Sequence, residues 1–190
     1  MERIATERGR EVRRGLLAAA VELITELGWN AVSTRILAER AGVRPGLVHY
    51  HFASLPALLN EAATGAIARF ADTAPLTAEL SLDDGLDLLV GTIAEAPGAI
   101  SLLFSETYLA ATRDPDLRRR VGELTAAFNS SLAGWLASHG HPAPSPTATV
   151  LTAALDGLAL HKALDPALDL VGTKAVLRAI LHPEREGNPS

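Results

Sequence analysis

Arg44, Pro45, Gly46 and Leu47 form a short run whose side chains suit contact with a nucleic acid. A guanidinium can donate two parallel hydrogen bonds to a guanine edge, or grip a phosphate. Gly46 lets a backbone approach a ligand closely. Leu47 offers an apolar surface to a thymine methyl. Upstream, Thr34 and Arg35 open another helical stretch, whose first amides favour a phosphate. His49, Tyr50 and His51 follow the Arg44 run and carry ring donors for the sugar-phosphate backbone. Tyr50 and His51 have a second reading, as rings that only pack against the next helix, and one aromatic can do both.

The histidines are not expected to form a metal site. His49 and His51 are two apart, so they point to different sides of a helix. His139 and His141 flank Gly140 with no further ligand type nearby in sequence. His161 lies on an apolar helix and reads as an interface or pocket polar group. The chain has no cysteine, which removes disulfides and thiolate metal sites. No nucleophile elbow, phosphate loop or dinucleotide fingerprint occurs. Neither an enzyme nor a metal or other cofactor is expected.

These groups need elements to hold them. Ile36, Leu37, Ala38 and Ala41 give a first short helix its apolar face, and Gly42 can take the left-handed conformation that stops it. Val43 is an apolar plug, Pro45 suits the first turn of a second helix, and Val48 and Phe52 lie four apart on one side of it. Two short helices joined by a glycine turn make a helix-turn-helix, which lays its second helix in the DNA major groove.

A longer helix precedes it, from about Arg10 to Leu27, with Leu16, Leu17, Ala20, Leu23, Ile24 and Leu27 at helical spacing. Another follows from about Leu55 into the low seventies. Ser81 with Asp83 and Asp84 reads as a cap with acids in the first turn, and Asp114-Pro115 as a cap and first-turn pair. Further helices are expected after Pro97, from Pro115 to near His139, over 146–164 and over 172–182. The polar tail over 183–190 is expected to be disordered. The fold class is all-α, with about nine helices.

Composition agrees. Hydrophobic residues make up 48% but aromatics only 4%, so Ala and Leu dominate, which favours packed helices over sheets. The net charge of −5 is uneven: residues 1–52 carry eight arginines against six acids, and the remainder nine basic against sixteen acidic residues. Arg3, Arg8, Arg10, Arg13 and Arg14 fall at the start, where they make either a phosphate-binding arm or a solvated terminus. No run reaches about 18 uninterrupted apolar residues, so no membrane span is expected. The charged N-terminus is unlike a secretion signal, and cytoplasmic residence is the expectation.

The stretch Ala41–Phe52, AGVRPGLVHYHF, resembles the signature of the TetR-type transcriptional regulators. Gly28-Trp29 at the end of the first helix and Ser33-Thr34 before the second resemble it too. The match covers about the first sixty residues. The remainder is similar in length, helicity and local phrases such as Asp114–Leu117 and Asp156–Leu160. Three positions depart from the pattern: Leu47 stands where a small hydroxyl residue is frequent, His49 where an aromatic is usual, and Leu55 where a Lys often pairs with a phosphate.

The resemblance implies a three-helix DNA-binding domain over 1–54 and a helical ligand-binding and dimerisation domain over 55–190. It implies a repressor released from a near-palindromic operator by a small molecule. The residue-level alternative is a helical protein-binding or scaffolding module without DNA binding, suggested by Leu55 and the acidic second part.

Phe70, Phe104, Tyr108, Phe128 and Trp135, with Asn129 among them, read from their types alone as a plain core or as a cavity wall. The resemblance points to a mostly apolar effector there, with Asn129 orienting it. Glu106 is expected to stay outside such a cavity, because an unpaired buried carboxylate is costly. The penultimate helix is apolar around most of its circumference, which fits either a monomer's central helix or a helix buried on a second subunit. The resemblance points to a two-fold homodimer through the last two helices, with Val150, Leu151, Leu155, Leu158, His161, Leu177 and Leu181 at the interface.

Overall fold

The computed structural model describes residues 2–182, with side chains from residue 7 onward. The expected tail over 183–190 and the Arg3 side chain lie outside the described residues. Among the described residues nine α-helices follow one another: α1 (Glu2–Leu27), α2 (Thr34–Arg40), α3 (Pro45–His51), α4 (Leu55–Ala71), α5 (Leu82–Glu95), α6 (Gly98–Ala111), α7 (Pro115–Ser138), α8 (Pro144–Leu164) and α9 (Leu170–Leu181). A single 3-10 turn, Trp29–Ala31, separates α1 from α2. No strand occurs among the described residues. The first helix begins well before Arg10, so Arg8 and Arg10 sit on helical turns, not on a frayed arm.

Local chemistry sets four of the helix starts. Ser33 Oγ accepts from the Ile36 amide at 3.3 Å and begins α2. Ser81 Oγ accepts from the Asp84 amide at 3.1 Å and begins α5. Asp114 Oδ1 takes the amides of Asp116 and Leu117 at 2.9 and 3.0 Å and begins α7. Asp169 Oδ1 takes the Gly172 amide at 2.9 Å, which starts α9 two residues before the expected Gly172. Each bond satisfies an amide that the helix itself leaves unpaired. Gly42, at φ 65°, turns the chain out of α2.

Two compact units emerge: Met1–Phe70 with Ala99–Gly122, and Ala71–Gly98 with Glu123–Ser190. The expected cut after residue 54 differs from this division. In the first unit Leu58, Leu59, Ala62, Ala63 and Ala66 of α4 and Leu103 of α6 share one buried core with Leu16, Leu23, Ile24, Leu37 and Val48. A helix whose apolar face completes that core belongs with it. The second unit has its own core, built from Leu86, Leu89, Val90 and Ile93 of α5, Leu132, Trp135 and Leu136 of α7, Leu151 and Leu155 of α8, and Leu177 and Leu181 of α9. Ion pairs tie α9 to α5 at its edge: Arg178 to Asp83 at 2.6 Å and Lys174 to Asp87 at 2.8 Å.

Candidate nucleic-acid interface

Helix α3 is seven residues long and buries one of them, Val48. Val48 is fully enclosed in the first core and Phe52 follows it inward. This pair pins the helix, so Pro45, Gly46, Leu47, His49 and Tyr50 all face outward, and Arg44 before them is exposed too. Tyr50 is 80% exposed, and its ring meets His51 edge-on with centroids 5.0 Å apart. Packing against the next helix is therefore not what holds Tyr50. His51 is half-buried.

Arg35 is exposed and Thr34 half-buried at the start of α2. Among the described residues Arg35 and Arg44 make no ion pair, so both guanidinium groups are available to an anion. Arg40 is committed instead. Its guanidinium bonds both oxygens of Glu26, at 2.9 and 2.6 Å, and reaches Glu22 at 3.2 Å. The pairing lowers the Glu26 pKa, chiefly through the Arg40 hydrogen bond, and raises that of Arg40. It fastens the end of α2 to α1.

Not every early arginine faces out. Arg13 stacks over the Phe52 ring at 4.8 Å and bonds Glu61 of α4 at 2.6 Å, so it braces the head and offers no free phosphate arm. Arg8 is exposed, and neighbouring Gly9 faces the His51 ring, 3.8 Å from where a Cβ would stand. That contact brings the early turns of α1 beside the end of α3. Leu55, where a phosphate-binding Lys is usual, packs against the first core.

Comparison with known proteins matches this arrangement. Residues 16–62 match the family model described as bacterial regulatory proteins, tetR family. Residues 77–183 match a second model, described as tetracyclin repressor-like, C-terminal domain. The chain belongs to the TetR family of transcriptional regulators. Among solved structures, SCO7518 of Streptomyces coelicolor A3(2), described as a transcriptional regulator, is 30% identical; the match covers 90% of this chain and 98% of that one, at a TM-score of 0.72. A protein of Rhodococcus sp. described as a TetR-family transcriptional regulator is 25% identical, with 90% and 97% covered and a TM-score of 0.74. The multidrug binding protein EbrR, complexed with imidazole, is 27% identical, with 88% and 93% covered and a TM-score of 0.69. Among curated proteins the chain finds no match. No single helix among the described residues is long and apolar enough to cross a membrane.

The residues expected to wall an effector site in this TetR-family chain fall into two groups. Phe70, Phe104 and Tyr108 lie in the first unit and form an edge-to-face series, with centroids 5.8 and 6.1 Å apart. All three are partly exposed. Phe128, Asn129 and Trp135 lie in the second unit. Trp135 is a core residue there, 3% exposed, with its indole N–H donating to the Leu80 carbonyl at 2.9 Å and its ring against Gly85. A ring enclosed in this way is not free to line a ligand, which corrects the expectation for it. Asn129 Oδ1 accepts from Thr152 Oγ1 at 2.5 Å, so one end of that amide is already engaged.

Glu106, expected to stay out of a site, lines an open groove of about 190 Å³ in the first unit together with Trp29, Asn30, Pro56, Leu109 and Arg113. Its carboxylate is not unpaired there, because Oε2 accepts from the Trp29 amide at 2.7 Å. Sequence reasoning missed this partnership. A carboxylate on an otherwise apolar helix was the available signal.

The last two helices sort their apolar residues into two faces. Leu151, Leu155, Leu177 and Leu181 point into the protomer's own core, so they cannot meet a second subunit as expected. The physical reason is the all-round apolarity of α8, which leaves the sequence without a polar side to orient it. Leu158 is half-buried against the second core, while Val150 and His161 are exposed. With them stand residues not singled out from the sequence: Leu164 at 75% exposure, Val171 at 77% and Val176 at 65%. His141 is committed within the second unit. Its Nδ1 accepts from the Ala143 amide and its Nε2 meets the Ile180 carbonyl, so it has no nitrogen to share with His139.

Proposed function

We propose that this TetR-family regulator is a homodimeric repressor of a near-palindromic operator, released by a mostly apolar small molecule. One observation carries the reading. Helix α3 spends a single side chain, Val48, on the core and turns Leu47, His49 and Tyr50 outward, beside two arginines, Arg35 and Arg44, without ion pairs among the described residues. Arg44 reads a guanine edge or grips a phosphate, Pro45, Gly46 and Leu47 approach the groove floor, and His49, Tyr50 and His51 contact the backbone. Thr34 and Arg35 hold a phosphate at the start of α2.

A single short helix reads few base pairs, and a two-fold partner supplies the second half-site one turn or a multiple away. Support for the dimer is an exposed stripe. Val150, Ala153, Leu160, His161 and Leu164 follow each other along α8, and Val171, Ala175, Val176 and Ala179 along α9. Gly157 lies within the α8 stripe with open space in front of it, which suits close helix approach. An exposed apolar stripe of this extent is a recognised mark of an association surface. Support for an apolar effector is the partly exposed series of Phe70, Phe104 and Tyr108 within the first unit. One relative named above is described as a multidrug binding protein.

The test is selection of genomic fragments by the purified chain, followed by competition with a compound library. An enriched palindrome is expected, and Arg44→Ala should weaken binding to it by about 1–3 kcal/mol with the fold intact. Compounds that stabilise the protein should lower operator affinity about 5–150-fold, the span of typical coupling energies. Absence of any enriched palindrome removes the operator reading, and stabilising compounds that leave DNA binding unchanged remove the release mechanism.

A further inference from the structure

We propose that Glu106 is a positioning residue for the DNA-reading head, a latch by which α6 holds the turn between α1 and α2 in its DNA-binding arrangement. The inference deepens the regulator reading above and rests on it for its DNA arm. Helix α1 ends at Leu27, and Gly28 takes φ 84° to redirect the chain into the 3-10 turn. That turn has no cap of its own, because Gly28 stands at its N-cap without a side chain. The missing acceptor comes from seventy-seven positions away: Glu106 Oε2 takes the Trp29 amide at 2.7 Å. A charged acceptor on a backbone amide, at this distance, is among the stronger hydrogen bonds.

Gly28 serves the bond by supplying the left-handed φ, and the Glu106 carboxylate lies beside it, its oxygens 3.6 and 3.7 Å from where a Cβ would be. Both ends of the link are firm. On α6, Leu103 and Thr107 flank Glu106 and are fully buried. On the head, Ala31 is followed by buried Val32 and then by Ser33, the cap of α2. The bond therefore joins α6 to the first residue of the 3-10 turn, four residues before Ser33, the cap of α2. A hydrogen bond weakens steeply once it is stretched past its normal range. A shift of α6 by about an ångström would break this one and free the turn. A second polar link runs nearby, from Asn60 of α4 to Asp114, the α7 cap three residues beyond the end of α6, at 3.0 Å. It ties the α6–α7 connection to α4, whereas Glu106 ties α6 itself to the α1–α2 turn.

The experiment compares Glu106→Ala, Glu106→Gln and Glu106→Asp in the full chain by amide hydrogen exchange and by binding to fragments selected by the parent. In Glu106→Ala the Trp29 amide and the α2 amides, such as those of Leu37 and Ala38, should exchange about tenfold faster, while Leu23 and Ile24 in α1 keep their protection. Affinity for the selected DNA should fall about tenfold. Gln keeps an acceptor at the same reach and should restore most of both readouts. Asp keeps the charge but is one methylene short, and should behave like Ala. Exchange that quickens at Trp29 alone, or DNA affinity unchanged in Glu106→Ala, overturns the latch. Equal loss with Gln, or uniform loss of protection through α1, also overturns it, because the effect is then charge or general instability. If the parent selects no DNA, the regulator reading fails by itself; spread of faster exchange from Trp29 into α2 then supports the latch, and its confinement to Trp29 rejects it.

Discussion

Gly85 and Gly91 both lie on α5, and the same substitution should have opposite effects at the two positions. At Gly85 an added Cβ would press against the Trp135 ring, too close to three of its carbons. Trp135 is almost wholly enclosed and is held by the bond from its indole N–H to the Leu80 carbonyl. In Gly85→Ala the ring must move. Overpacking of this kind costs about 1–3 kcal/mol. Loss of the indole bond adds about 0.5–1.5 kcal/mol. Against these stands the helix preference for Ala over Gly, about 0.8–1.0 kcal/mol. The net is a destabilisation of roughly 1–3 kcal/mol, or a fall in melting temperature of several degrees at about 2–4 °C per kcal/mol.

At Gly91 nothing lies within 4 Å of the new methyl. Only the preference term remains, so Gly91→Ala should gain up to about 1 kcal/mol. Urea unfolding measures both. The chain has two tryptophans, so a Trp29→Phe background lets the emission of Trp135 report whether its ring becomes wetter in Gly85→Ala. A Gly85→Ala protein as stable as its parent would refute the packing argument. Equal losses at both sites would show that α5 is intolerant for a reason other than this ring.

Three further outcomes follow from the geometry. Leu164→Arg or Val176→Arg should give a folded monomer by sedimentation, whereas Leu155→Arg, aimed into the core, should unfold the chain; a variant at the exposed stripe that still sediments like the parent would move the interface elsewhere. Tyr50→Ala should weaken operator binding without lowering the melting temperature, since its ring is outside the core, and a loss of stability would restore a packing role. Bonds from the Asn60 amide and the Leu117 and Asp116 backbone hold the Asp114 carboxyl below its usual range. A depressed native pKa means that this stabilisation is complete above about pH 4 and is lost as pH falls through the lower native value. The stability advantage of the parent over Asp114→Asn should therefore shrink on acidification, and a difference that stays constant to pH 2 would contradict the assignment.

Much of the reading head was legible in the sequence because its cues act within a few residues. Ser33 caps the amide three positions on, Gly42 supplies the positive φ that ends α2, and Pro45 suits the first turn of α3. The four-residue spacing of Val48 and Phe52 determined which side of α3 faces inward, and so which side chains remain for a groove. The capped starts of α5 and α7 were legible for the same reason. Tertiary structure decided what depends on partners far along the chain. Arg13 could have been a phosphate arm, and it became a brace only because Phe52 and Glu61 arrive beside it. Leu55 replaces a charge, and its place on the first core shows only when α4 packs there. Trp135 reads equally as a wall or a core ring until Gly85 and the Leu80 carbonyl close around it. The inward face of α8 was undetermined because a helix apolar on all sides has no preferred orientation of its own, and only packing against α5, α7 and α9 selects Leu151 and Leu155 over Val150 and Leu164.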